Sequence, residues 1–198
     1  MTWILTSNGD TVDVRLIKPD QLDIEVIAHS LSTINRFTGH ALRPISVAEH
    51  SILVSHILER EQGIDSPSVL LAGLMREAHK SITGDLSWAM QQLLGPVWAI
   101  EEGRIQFDVM RHFNLISPWQ SSWGKIGMAN QQALACERLQ LLPEGGPVWP
   151  CTAHQVPAWV KLADEAATWS PDDWRQAFLD RFNELDAARR AQHTTPSA

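Results

Sequence analysis

The chain has no tyrosine and only two cysteines, Cys136 and Cys151. Two cysteines without a Cys-x-x-Cys spacing cannot build a disulfide framework, so both are read as buried or idle thiols. Nine tryptophans accompany the missing tyrosines, and because Trp mostly fills cores and clefts the count by itself assigns no function. Long apolar runs are also lacking: none approaches the roughly 20 residues needed to span a bilayer. Residues Met1 to Ser7 lack the basic start and long apolar stretch of a signal peptide, so the expected location is cytoplasmic. Positive charge is scarce too, with 16 Lys and Arg against 23 Asp and Glu and a formal net charge of −7. That balance gives no whole-chain electrostatic reason to expect a nucleic-acid or membrane partner, although it leaves room for a local basic pocket. There is no glycine-rich phosphate loop, no Gly-x-Ser-x-Gly elbow, no His-Glu-x-x-His helix, no internal repeat and no low-complexity block.

What remains is a 198-residue chain with 44% hydrophobic content, enough for one domain that buries roughly 70% of its unfolded surface. We expect a single domain over residues 1–190, beginning with a small hairpin in 1–16, and a flexible tail at 191–198. Two β-prone stretches, Trp3 to Thr6 and Thr11 to Val14, flank an Asn8-Gly9 turn signal. Everything after them reads as helix. Apolar residues at Ile24, Ile27, Leu31 and Ile34 follow the 3.6-residue period. Ser46 with Glu49 three positions on marks a helix start, and a further helix begins at Pro67 and is expected to run to about Ser81, before Thr83-Gly84-Asp85. Further helices are expected over 86–94, 97–113, 119–141 and 171–190.

The run Ile24-Glu25-Val26-Ile27-Ala28-His29, then Asn35-Arg36-Phe37-Thr38-Gly39-His40, then Ser46-Val47-Ala48-Glu49-His50-Ser51 closely resembles the HD-domain phosphohydrolases. The nearest group is the small bacterial and phage 5'-deoxynucleotidase-like enzymes. The resemblance continues through Leu70 to Met75, Thr83-Gly84-Asp85-Leu86, Ala99 to Ile105, Ala133 to Arg138 and Phe178 to Phe182. It implies an all-α domain, an HD-type helical bundle, in which an early His, an adjacent His-Asp pair and a distant Asp hold a divalent metal such as Mg²⁺, Mn²⁺ or Co²⁺. Imidazole and carboxylate suit such a metal while leaving positions open for water and phosphate.

His50 matches the first ligand. With the Gly84-Asp85 turn fixing the register, Arg76-Glu77 falls where the resemblance calls for His-Asp, Lys80 replaces an acidic residue that assists the attacking water, and Asn130 stands at the final Asp. Arg36 matches an Arg near the substrate, and Asp85 matches a residue near the sugar or the attacking water, although its type also suits a cap for the following helix. Phe37 and Trp88 could stack on a base, but isolated aromatics more often belong to the core.

On an ideal helix Arg76, His79 and Lys80 share one roughly 100° sector, with Glu77 to one side. A positive charge about 4 Å from a divalent cation opposes it by about 8 kcal/mol at an effective dielectric of about 20. The expectation is therefore a degenerate metal site without a cofactor: a non-hydrolysing relative that binds a nucleotide or other phosphorylated small molecule through Arg36, Phe37, His50, Arg76, Lys80 and Asp85, or that works through a protein partner or homodimer. Arg76 and Lys80 could instead pair internally with Glu49, Glu77 or Asp85. Two alternatives stay open. One is an active phosphohydrolase using Glu77, Lys80 and Asp85 at the catalytic positions, with a metal held by His50, Glu77 and His79. The other is a pure interaction protein whose cleft is filled by its own side chains.

Overall fold

A computed structural model describes residues 2–162 and 169–194 of the chain. It is an all-α fold with a small N-terminal hairpin. The hairpin pairs β1 (Trp3–Leu5) with β2 (Thr11–Asp13) in antiparallel register, Ile4 opposite Val12. Its connection is longer than the two-residue turn that Asn8-Gly9 signals. Thr6 N–H donates to Asp10 O at 2.9 Å, and Asn8 Oδ1 accepts from the Thr6 hydroxyl and from Asp10 N–H. Val12 is buried and pins the hairpin to the helical core.

The helices follow in order: α1 (Ile24–Thr33), α2 (Val47–Arg60), α3 (Pro67–Leu74), α4 (Lys80–Thr83), α5 (Trp88–Leu94), α6 (Pro96–His112), α7 (Ile116–Ser121), α8 (Trp123–Leu141) and α9 (Pro171–Thr194). The expected Ser46 cap is in place, accepting Glu49 N–H at 3.0 Å ahead of α2, and Asp23 likewise accepts Glu25 N–H ahead of α1. α9 runs to Thr194, past the expected end at Arg190, and residues 195–198 of the expected tail lie outside the described residues.

α2 sits at the centre, packed on α3, α8 and α9, while α1 lies along α9. Its apolar side, Leu53, Val54, Ile57 and Leu58, is buried, and Gly73 of α3 lies so close that a Cβ there would overlap Leu58. Arg181 of α9 is buried against the same helix, donating to the Ser55 hydroxyl and to Glu59. Among the described residues no helix is long and apolar enough to cross a membrane.

Two expected helices are broken. The segment after Pro67 leaves α-geometry at Met75, passes through a 3₁₀ turn at Met75–Glu77 and resumes as the one-turn α4. The expected 119–141 helix starts at Trp123, with Ser122 separating it from α7. The break at Met75–Glu77 carries no Gly or Pro, so nothing within it marks it in the sequence.

Candidate functional site

The break at Met75–Glu77 shapes the site. Side chains three apart eclipse in 3₁₀ winding, whereas an α-helix turns them by about 300°. Glu77 is therefore brought over Lys80, and His79 beneath Arg76. The ideal-helix expectation had grouped His79 with Arg76 and Lys80 and set Glu77 to one side. The structure corrects this: Glu77 lies between Arg76 and Lys80, paired with the Arg76 guanidinium and 2.7 Å from Lys80 Nζ. His79 turns away. Its Nδ1 is 3.2 Å from Arg76 O, and its Nε2 is 3.4 Å from Glu102 of α6.

Lys80 has a second carboxylate, Asp85 Oδ1, at 2.5 Å. The capping role is taken by Ser87, whose hydroxyl accepts Met90 N–H at the start of α5. On the other side of Arg76, Nη1 donates to Asn130 Oδ1 of α8 at 3.1 Å, and the same oxygen lies 2.9 Å from His50 Nε2. His50 Nδ1 in turn faces Glu137 Oε1 at 2.6 Å, and Arg36 closes the sequence with two N–H bonds to Glu137 Oε2, at 2.9 and 3.1 Å. One unbroken path of polar contacts thus runs Arg36, Glu137, His50, Asn130, Arg76, Glu77, Lys80, Asp85.

Local structure aims each member. Arg36 N–H donates to Ile45 O, and Asn35 bridges Ser46, so the loop between α1 and α2 is clasped at its neck. Beyond the neck Phe37, Thr38 and Gly39 take φ of +56°, +54° and +79°. Two non-glycine residues in the left-handed region cost about 1–3 kcal/mol each, and such strain collects where a side chain must be aimed. Here it accompanies Arg36 onto Glu137. The Phe37 ring lies 5.1 Å from its neighbour's guanidinium and 6.0 Å from Trp149, so it packs against protein groups. Trp88 is 75% exposed and belongs neither to the core nor to this cluster.

Burial sets the electrostatics. Glu137 is fully buried, which alone would raise its pKa, but Arg36 and His50 together hold the carboxyl below its usual range. Burial and then the Arg36 charge push the His50 imidazole down against the pull of Glu137. The same two causes lower Lys80 despite Asp85, and they bring Arg76 down to about 10, where the guanidinium stays charged near neutrality. His79 is lowered first by burial. Arg76 is the cation of the path most open to solvent, its side chain 24% exposed against 9% for Arg36 and Lys80.

Glu137 in the path and Arg43 beside it were not singled out by sequence reasoning. Glu137 lies in an otherwise apolar helical run, Ala133-Leu134-Ala135-Cys136, and a carboxylate in such a place needs a buried partner. Arg43 pairs with Glu49 through contacts of 2.6 and 2.9 Å, so Glu49 is not available to Arg76 or Lys80. Glu77 and Asp85 are the partners those two cations use. Cys136 and Cys151 are both buried and unpaired, and burial drives the Cys136 thiol up to about 12, where it stays protonated.

The residues present do not fit a divalent metal. His50 is committed to Asn130, His79 to Glu102, and Glu77 and Asp85 both to Lys80, and among the described residues no three His, Cys, Asp or Glu side chains gather around a common point. A guanidinium and an ammonium stand among them.

No family model matches the chain. Over 190 residues, 96% of this chain and 99% of the relative, it is 28% identical to the uncharacterized protein YfdR of Escherichia coli (strain K12). A stretch of 115 residues, 57% of this chain and 59% of the relative, is 28% identical to an uncharacterized protein of Rhodobacter capsulatus. The first likeness is long enough to take in the whole charged path, from Arg36 to Glu137.

Proposed function

We propose that this chain is a relative of the HD-domain phosphohydrolases that does not hydrolyse phosphoesters and works through contacts made by its surface. The observation that carries this is the Arg76 guanidinium set between Asn130 and Glu77, with Lys80 on the far side of the same carboxylate. Protein cations and their own counter-charges fill the centre that the resemblance assigns to a metal. His50 supports the ancestry. A metal-ligating histidine usually donates its other ring nitrogen to a carboxylate, and Glu137 at Nδ1 keeps that arrangement while Nε2 points at Asn130. The test is phosphate release from the deoxynucleoside monophosphates with Mg²⁺, Mn²⁺ or Co²⁺, alongside elemental analysis of the purified protein. The expected result is no release above background and no stoichiometric metal. Turnover abolished by His50→Ala overturns the reading.

A second reading is favoured by the exposure of Arg76: a phosphoryl group could reach its outer edge without dismantling the path, and guanidinium suits bidentate phosphate contact. A ligand at about 100 times its dissociation constant raises stability by about 2.7 kcal/mol. A thermal shift with a nucleoside monophosphate that disappears in Arg76→Ala supports this reading. No shift leaves the surface-contact reading alone.

A further inference from the structure

α5 is a seven-residue helix, Trp-Ala-Met-Gln-Gln-Leu-Leu, without a single buried residue. A helix that short is marginal on its own, and its principal packing partner is α6. Trp88, Leu93, Val97 and Ile100 are 75, 80, 73 and 68% exposed, and Met90, Leu94 and Phe107 are also exposed. Of the sixteen large hydrophobics exposed among the described residues, these seven fall within twenty consecutive positions along α5 and α6.

The α6 part of that stretch has a regular pattern. Pro96, Ile100, Gly103 and Phe107 are spaced four, three and four apart, all on the solvent side, while Ile105, Val109 and Met110 occupy the core side. This is the narrow seam by which one helix packs along another. Gly103 makes a notch in it, since a Cβ there would meet nothing within 4 Å.

We propose that a second copy of this chain covers the α5–α6 face, the two α6 helices lying antiparallel across a two-fold axis. The seam is self-complementary in that arrangement. Ile100 of each copy enters the Gly103 notch of the other, and Phe107 of each lies over Pro96 of the other, as an isologous contact requires. The seven side chains expose on the order of 800 Å², taking about 150–250 Å² for a whole large side chain, which matches the share each partner contributes to a stable interface. Charge does not oppose the contact. Arg104 pairs with Glu101 and Asp108 beside the seam, and Arg111 pairs with Asp108. A copy therefore meets no uncompensated charge. This deepens the surface-contact reading; solution mass tests the face and phosphate release tests the charged path, so either can fail alone.

The experiment is light scattering after size exclusion, with sedimentation equilibrium, on the full chain at about 10–100 μM, above the micromolar end of the affinities that standard-size interfaces reach. The expected mass is that of a dimer. Ile100→Lys should give the monomer with an unchanged far-UV spectrum, and the α5 amides should lose hydrogen-exchange protection. Gly103→Leu, which fills the notch without touching the core, should weaken association at least tenfold and guards against a folding defect in the first variant. A wild-type monomer at the highest concentration overturns the proposal, as does a dimer that both substitutions leave intact.

Discussion

His50 and Arg76 converge on one oxygen, Asn130 Oδ1, which lies 2.9 Å from the imidazole Nε2 and 3.1 Å from the guanidinium Nη1. A neutral amide thus sits where two nitrogen groups meet, and it is the one uncharged link in the path from Arg36 to Asp85 apart from His50 itself.

Asn130→Leu removes that acceptor and leaves a buried imidazole nitrogen without a partner. The expected loss is about 1–3 kcal/mol of unfolding free energy, read by urea denaturation. Asn130→Asp keeps an acceptor for both neighbours and should cost less. Equal losses for the two variants would show that the shared oxygen contributes nothing.

Glu137→Gln strands the Arg36 guanidinium in a buried site. Breaking one side of a buried ion pair typically costs about 3–5 kcal/mol. Replacing both residues, Arg36→Met with Glu137→Leu, should cost less than the two single changes added together, because neither charge is then left alone. A double-mutant cycle under urea reads the difference.

Stability should fall as pH is lowered from about 7 towards 5. His50, His56 and His79 all have folded pKa values below the ordinary value of about 6.5, burial being the first cause for each. The unfolded chain then binds protons that the folded chain resists. Their contribution is present above pH of about 6.5 and is lost as pH falls towards the folded values. Glu49, raised by burial, acts in the opposite sense, but as one group against three. Melting temperatures measured at constant ionic strength check the sign, and His79→Gln should flatten the slope.

Gly73→Ala should destabilise the fold by about 1–3 kcal/mol, since the added methyl group overlaps Leu58 Cδ1 where α3 crosses α2. Gly103→Ala, with open space around its Cβ, should leave unfolding of the isolated protomer unchanged or slightly improved. Chemical denaturation of both variants makes the comparison.

Installing the residue types that the resemblance calls for, Arg76→His, Glu77→Asp, Lys80→Glu and Asn130→Asp together, should create a Co²⁺ or Mn²⁺ site around His50, which Glu137 already orients. Visible absorption of bound Co²⁺ and elemental analysis give the readout, with the wild type as control. Absence of binding in a folded quadruple variant counts against the proposed ancestry.

What could be read from the sequence was what is local. The apolar period of α1, the Ser46 start of α2, the hairpin strands and the Pro67 start are set by residues within a few positions of one another. The turn at Met75–Glu77 is imposed by packing and has no breaker residue, so a continuous helix was the natural expectation and it misplaced Glu77 and His79. Arg36 and Glu137 meet across 101 positions. The resemblance singled out Arg36, but only the fold supplied its partner, as it did for Glu49 with Arg43 and for His79 with Glu102.

The polar path from Arg36 to Asp85 also bears on how such a sequence can change. Its charged members come in opposite signs, each holding a neighbour that would otherwise be buried alone, so substituting any one of them leaves a remainder that the fold tolerates poorly. A lineage passing between this centre and a metal-binding one must cross a low-stability valley unless several codons change together. The arrangement behaves as a ratchet: once closed, it makes a stepwise passage to metal chemistry improbable even where selection would reward it.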